Sequence, residues 1–170
     1  LILIGFMGAG KTSVGEHFAA RYRMPMIDTD KEIEAAAGMA ISDIFATRGE
    51  EAFRRLETGV LEKLLKQGGR SVISVGGGLP LRAENRALLK QLGTVVYLDV
   101  LPETVMERIG ADVSDRPMLH GSDVMGRIIS LLESRKPYYL EASHIIVDVN
   151  GRDVDDIVEE IHRRAVDKTC

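Results

Sequence analysis

The sequence holds a single cysteine, Cys170, in 170 residues. One thiol forms no internal disulfide and has no companions for a zinc cluster, so a reducing, cytoplasmic compartment is the expectation. No apolar run approaches the roughly 18 residues needed to span a bilayer as a helix, and no signal peptide is visible. The chain opens inside an apolar run without an initiator methionine, which leaves room for further residues or a leader before Leu1. Positive charge is not in excess: 22 Lys and Arg stand against 26 Asp and Glu, a net charge of −4, the wrong sign for a sequence-independent nucleic-acid binder. Repeats, low-complexity tracts and linkers are missing too. The chain therefore reads as a single domain over residues 1–170, 45% apolar and long enough to bury a core.

What is there is an alternation of apolar runs with segments of helical period, the order of a parallel sheet with helices on both faces. Residues 1–4 read as the first buried strand, 11–22 as a helix with Val14, Phe18 and Ala19 at core spacing, and 26–27 as a short second strand. From 31 to 65 the pattern is helical and charged, with breaks near Gly38 and Gly49, so two or three helices are expected. Strands follow at 71–75, 95–100 and 144–149, and helices at 102–109, 124–133 and 154–166. The stretch 110–123, rich in Gly, Asp and Ser with Pro117 inside it, suits neither period. A loop of that length in a compact domain is usually functional or mobile.

"GFMGAGKT" fits GxxxxGK[ST] through Gly5, Gly10, Lys11 and Thr12, between a strand and a helix. Its glycines let the backbone turn its N–H groups onto phosphates at angles a side chain forbids. The helix beginning near Lys11 adds its positive dipole end, Lys11 brings a mobile charge, and Thr12 offers a hydroxyl to a magnesium ion. Nucleotide binding is the reading.

Opposite the phosphates, Asp28 and Asp30 in "MIDTD" alternate in a strand and so share one face at its carboxyl end. They suit magnesium-bound water and an acceptor hydroxyl; alternatively, Asp30 caps a helix starting at Lys31. "SVGGGLP", with Gly76, Gly77 and Gly78, is either a plain loop or a place of close backbone approach to a ligand. Arg54, Arg55, Arg116, Arg135 and Arg152 are surface charges taken singly, and spacing does not say whether they converge.

Taken together, "GFMGAGKT", "DTD", "GMAISDIFATRGEEAFRRLE", "GGG", "VVYLD", "DRPML" and "SRKPYY", in this order from Gly5 to Tyr139, resemble shikimate kinase. The resemblance implies a three-layer α/β P-loop NTPase fold of the nucleoside-monophosphate-kinase type. It has a five-stranded parallel sheet, a shikimate-binding segment at 31–60 and a lid at 110–123. It implies that the backbone of Gly8, Ala9, Gly10, Lys11, Thr12 and Ser13 holds the phosphates of ATP. Thr12 ligates Mg2+, and Asp28 holds that ion through water. Asp30 takes the acceptor hydroxyl, and Arg54 and Arg135 grip the substrate carboxylate as guanidinium forks. Gly77 donates from its backbone between Gly76 and Gly78. Arg116 rides on the lid, and Arg108 and Arg152 flank the adenine. Val154 stands where some members of the family carry proline, and Met118 replaces the usual leucine of the lid motif.

The implied reaction is transfer of the γ-phosphoryl group of ATP to the 3-hydroxyl of shikimate, in aromatic amino acid biosynthesis, with Lys11, Asp30 and Arg116 as catalytic residues. The expected partner is this small molecule, with no nucleic acid or membrane and with the chain a monomer. Gluconate-type and nucleoside-monophosphate kinases, or a non-catalytic ATP-binding regulatory module, are the alternatives. Without the resemblance, the residues reach a magnesium-dependent phosphotransferase acting on a small hydroxylated, acidic acceptor.

Overall fold

The computed structural model describes residues 1–110, 121 and 123–166. Its sheet is built from β1 (Ile2–Gly5), β2 (Met26–Asp28), β3 (Val72–Ser74), β4 (Val95–Asp99) and β5 (Ile145–Asp148). All pairings are parallel, in the order β2-β3-β1-β4-β5. The register sets Ile2 opposite both Ile73 and Val95, so β1 is central, and Ile2, Leu3 and Ile4 are wholly buried. A parallel strand covered on both faces reads as a continuous apolar run rather than an alternation. That is why "LILI" and "VVYL" are legible as strands.

Around the sheet lie α1 (Lys11–Arg21), α2 (Thr29–Ala37), α3 (Ile41–Gln67), α4 (Ala83–Leu92), α5 (Pro102–Ile109), α6 (Val124–Ala142) and α7 (Val154–Val166). Helix α1 packs with α7, whereas α4 packs between α3 and α6. Val14, Phe18 and Ala19 are buried, as their spacing predicts. Helix α3 carries a break at Gly49 (φ 82°, ψ 171°), and Gly38 ends α2 in the left-handed region. Both expected interruptions are thus present.

Three regions differ from the sequence expectation. Helix α4 is preceded by a 3-10 turn, Leu79–Leu81, and neither is assigned from the sequence. The buried positions of α4 are Asn85, Arg86 and Leu89, two of them polar, so apolar periodicity does not reveal its inner face. Helix α6 runs past Glu133 to Ala142 with Pro137 inside it. A mid-helix proline costs roughly 3 kcal/mol, and burial of Ile128, Leu132, Tyr139 and Ala142 on the same helix offsets that cost. Finally, Asp30 is not in a strand. Strand β2 ends at Asp28, and Asp30 lies in the first turn of α2.

Candidate active site

The open side of the sheet lies at the carboxyl ends of its strands, where the order turns about β1. The loop leaving β1 places Gly8 at φ 75° and Gly10 at φ 88°, left-handed conformations that glycine adopts without strain. Ala9 N donates to Phe6 O at 3.1 Å, closing the loop. Helix α1 then begins with no side-chain cap and no acidic residue in its first turn. Its first-turn N–H groups and dipole favour an anion there. Lys11 Nζ folds back over the loop and donates to Gly5 O at 2.8 Å and Phe6 O at 3.0 Å.

Asp28 is the N-cap of α2: its Oδ1 accepts from Asp30 N at 2.9 Å and Lys31 N at 3.4 Å. This corrects the alternation argument for the Asp pair, since a capping carboxylate starts the helix one residue later. The cap is Asp28, not Asp30. Asp30 is thereby released from capping and turned toward the glycine triplet.

Gly76, Gly77 and Gly78 form a floor on which Asp30, Glu57, Arg135 and Arg54 meet. A Cβ placed on Gly76 would stand 2.8 Å from Asp30 Oδ1 and 3.3 Å from Glu57 Oε1. On Gly77 it would stand 3.4 Å from Arg135 Nη1 and 3.5 Å from Gly5 O, and on Gly78 2.6 Å from both Arg54 Nη1 and Nη2. The triplet has no left-handed residue, so what these positions require is bareness. Its close approach is to the protein's own charged side chains, which gather over it beside the phosphate loop.

Those charges hold one another. Arg54 Nη1 donates to Glu57 Oε2 at 2.7 Å, and Nη2 reaches Glu50 Oε1 at 3.5 Å. Glu57 is 1% exposed, and burial pushes its carboxyl up to about 7 against the opposing pull of Arg54. Burial, with Asp28 nearby, also raises Asp30 above the ordinary carboxylate range, while Lys11 and Arg54 oppose the shift. Arg135 is 5% exposed and stands 5.8 Å from the centre of the Phe6 ring, a cation over an aromatic face of the phosphate loop itself. Tyr139, one turn along α6, donates to Gly77 O at 2.7 Å; burial lifts its hydroxyl to about 12, although Arg135 hydrogen-bonds it and pulls the other way. Thr29 Oγ1 accepts from Gly76 N at 3.3 Å.

Glu57, Tyr139 and Thr29 were not singled out from the sequence. Glu57 had a signal: it sits one helical turn after Arg54 in "FRRLE", the spacing of a side-chain pair. Tyr139 and Thr29 had none, because their partners are backbone groups of a distant loop. Arg55, by contrast, is exposed and pairs with Glu51 at 3.6 Å, outside the cluster.

At the far end of the phosphate loop, Arg108 Nη1 donates to Gly8 O and Nη2 to Val149 O, both at 3.0 Å. It thus straps the loop to the turn after β5. Arg152 in that turn donates through Nη1 to Asp148 O at 2.8 Å and Glu160 Oε2 at 2.7 Å. Arg116 and residues 111–120 and 122 of the expected lid lie outside the described residues.

Thr12 lies in the first turn of α1 and Asp28 at the carboxyl end of β2. Among the described residues no cluster of three or more His, Cys, Asp or Glu forms a closed protein cage. No described helix is long and apolar enough to cross a membrane.

Known proteins match this arrangement. A model of the family described as shikimate kinase fits residues 7–166. The shikimate kinase of Symbiobacterium thermophilum is 43% identical over 162 residues, covering 95% of this chain and 92% of that one. The solved structure of shikimate kinase from Acinetobacter baumannii in complex with shikimate superposes with a TM-score of 0.91 at 36% identity, covering 98% of this chain and 92% of that chain. A gluconokinase from Sinorhizobium meliloti aligns with a TM-score of 0.54 at 21% identity, over 99% and 94% of the two chains, a likeness of fold alone. On the breadth of the family match and the identity over nearly the whole length, the chain belongs to the shikimate kinase family.

Proposed function

We propose that the chain binds MgATP along the Gly8–Ser13 backbone and transfers the γ-phosphoryl group to the 3-hydroxyl of shikimate held over Gly76–Gly78. One observation carries the residue assignment: a carboxylate and two guanidiniums, from Asp30, Arg54 and Arg135, meet over three bare glycines next to Gly5 O and Phe6 of the phosphate loop. Such a floor suits a compact ligand with an anionic group for the guanidiniums and a hydroxyl for the carboxylate. A nucleotide acceptor would call for a base-reading cleft, and a regulatory module would have no use for the acceptor cluster.

Each residue then has a task. Arg54 and Arg135 grip the carboxylate and turn the ring so that the hydroxyl faces the phosphate loop. Glu57 holds the Arg54 fork in place, and Tyr139 fixes Gly77 so that its N–H presents to the ligand. Asp30 orients the attacking hydroxyl and accepts its proton as the bond to phosphorus forms and the bond to ADP breaks. Phosphoryl transfer of this loose kind depends on placement and positive charge more than on a strong base. Lys11 turns from Gly5 O and Phe6 O toward the outer phosphates, and the amides of Gly8, Gly10, Thr12 and Ser13 spread the remaining charge, that of Ala9 being engaged by Phe6 O. Thr12 and Asp28 would hold magnesium, which supplies charge neutralisation when bound. Arg108 and Arg152 border the adenine.

We place this activity in one domain that acts as a monomer in the cytoplasm; the single sheet supports the one domain, and the single cysteine supports the reducing compartment. The test of the acceptor is ADP release measured with shikimate, gluconate and nucleoside monophosphates offered separately. Turnover with shikimate alone is expected; turnover only with a nucleoside monophosphate would defeat the proposal.

A further inference from the structure

Asn85 and Arg86 open helix α4, and both are buried although neither is apolar. Asn85 has no exposed surface: its Nδ2 donates to Leu79 O at 2.9 Å, and its Oδ1 accepts from Thr58 Oγ1 at 2.7 Å. Arg86 is directed to the rest of the same turn. Its Nη1 donates to Pro80 O and Leu81 O, both at 2.9 Å, while its Nε lies 3.2 Å from Glu141 Oε2. The Arg86 Cζ stands 4.9 Å from the centre of the Tyr138 ring. Between them, two consecutive side chains satisfy every carbonyl of the 3-10 turn that directly follows Gly78.

Their other partners lie on the two helices that carry the acceptor-side arginines. Thr58 follows Glu57 on α3 and sits one turn beyond Arg54, whose carbonyl its hydroxyl also reaches, at 3.2 Å. Tyr138 and Glu141 flank Tyr139 on α6, a turn or more beyond Arg135. The pair therefore links three pieces at one point: the turn that ends the glycine floor, the helix of Arg54 and the helix of Arg135. Purely apolar packing would bury the same surface but leave the turn carbonyls unsatisfied and their distance to α3 and α6 loosely set.

We propose that Asn85 and Arg86, with Thr58, are positioning residues for the acceptor. They fix Gly76–Gly78 relative to Arg54 and Arg135 and so set affinity for the hydroxy acid, not for the nucleotide. This rests on the assignment of Arg54 and Arg135 to the acceptor carboxylate.

The experiment measures KM for shikimate, KM for MgATP and melting temperature in Thr58→Val, Thr58→Ser and Arg86→Lys. Arg135→Lys serves as the reference and Ile161→Ala, a core truncation on α7, as the stability control. Thr58→Val keeps the shape of the side chain and removes the hydroxyl. Arg86→Lys keeps the charge and shortens the reach to the two carbonyls that Nη1 holds. Each is expected to raise KM for shikimate about three- to tenfold, leaving KM for MgATP within about twofold, and Thr58→Ser restores the wild-type value. Ile161→Ala lowers the melting temperature without separating the two constants. If Arg135→Lys raises KM for shikimate while Thr58→Val and Arg86→Lys do not, the positioning role is overturned and the acceptor assignment stands. Parallel rises in both constants for Thr58→Val and Arg86→Lys likewise overturn the role. An unchanged KM for shikimate in Arg135→Lys overturns the acceptor assignment itself.

Discussion

Gly78 lies against Arg54 so closely that a Cβ on the glycine would come within 2.6 Å of both terminal guanidinium nitrogens. The obstructing atoms are the far end of a flexible side chain, so the fold can absorb a methyl group by moving the guanidinium, whereas the substrate site cannot. Gly78→Ala is therefore expected to change unfolding free energy by less than about 1 kcal/mol and to raise KM for shikimate about tenfold or more. Denaturant titration and steady-state kinetics on the same preparation check the two halves of the statement.

In the proposed reaction, Lys11 and Asp30 serve the step in which charge develops rather than ground-state binding. Lys11→Ala and Asp30→Asn are each expected to lower kcat by about a hundredfold or more while the folded state persists. Near-wild-type kcat in either variant would remove that residue from the reaction.

Arg108 straps Gly8 to Val149 through two carbonyls, both on the nucleotide side. Arg108→Ala is expected to raise KM for MgATP about three- to tenfold and to leave KM for shikimate unchanged. A shift in the shikimate constant alone would misplace Arg108.

Glu57 gives a pH signature in stability. Its carboxyl is raised in the folded protein from an ordinary 4.5 to about 7, chiefly by burial. A raised carboxyl favours the protonated form on folding, so its contribution is fully present below 4.5 and is lost as pH rises through about 7. Relative to Glu57→Gln, the wild-type protein should lose unfolding free energy across that interval. Parallel stability curves for the two proteins would contradict the shift.

How far the sequence foretold this arrangement depended on which physical effect shaped each part. The phosphate loop was legible because glycine conformation, lysine charge and helix start fall within one short stretch, "GFMGAGKT". The buried strands were legible because a parallel sheet makes them uniformly apolar. Helix α4 was not, because its inner face includes Asn85 and Arg86, whose partners are carbonyls five or six residues back and the Thr58 hydroxyl 27 residues back, which only the folded chain brings together. From sequence alone the glycine triplet is either a plain loop or a place of close approach to a ligand, and the family resemblance implies the roles of Asp30, Arg54 and Arg135. That these charged groups crowd its surface is a matter of three-dimensional convergence. The Asp28 and Asp30 pair shows the limit of periodicity: one capping hydrogen bond replaced the strand alternation with a helical turn.

The central claim is that Arg54 and Arg135 grip a carboxylate over Gly76–Gly78. The most direct measurement compares the dissociation constants of shikimate and of its carboxamide, which keeps the ring and hydroxyls but not the charge, in the wild-type protein and in Arg135→Lys. The account predicts that the wild type prefers shikimate by about a hundredfold, on the order of the 2–3 kcal/mol of a charge-assisted pair, and that Arg135→Lys reduces this preference at least about fivefold. An equal preference in the two proteins would contradict it.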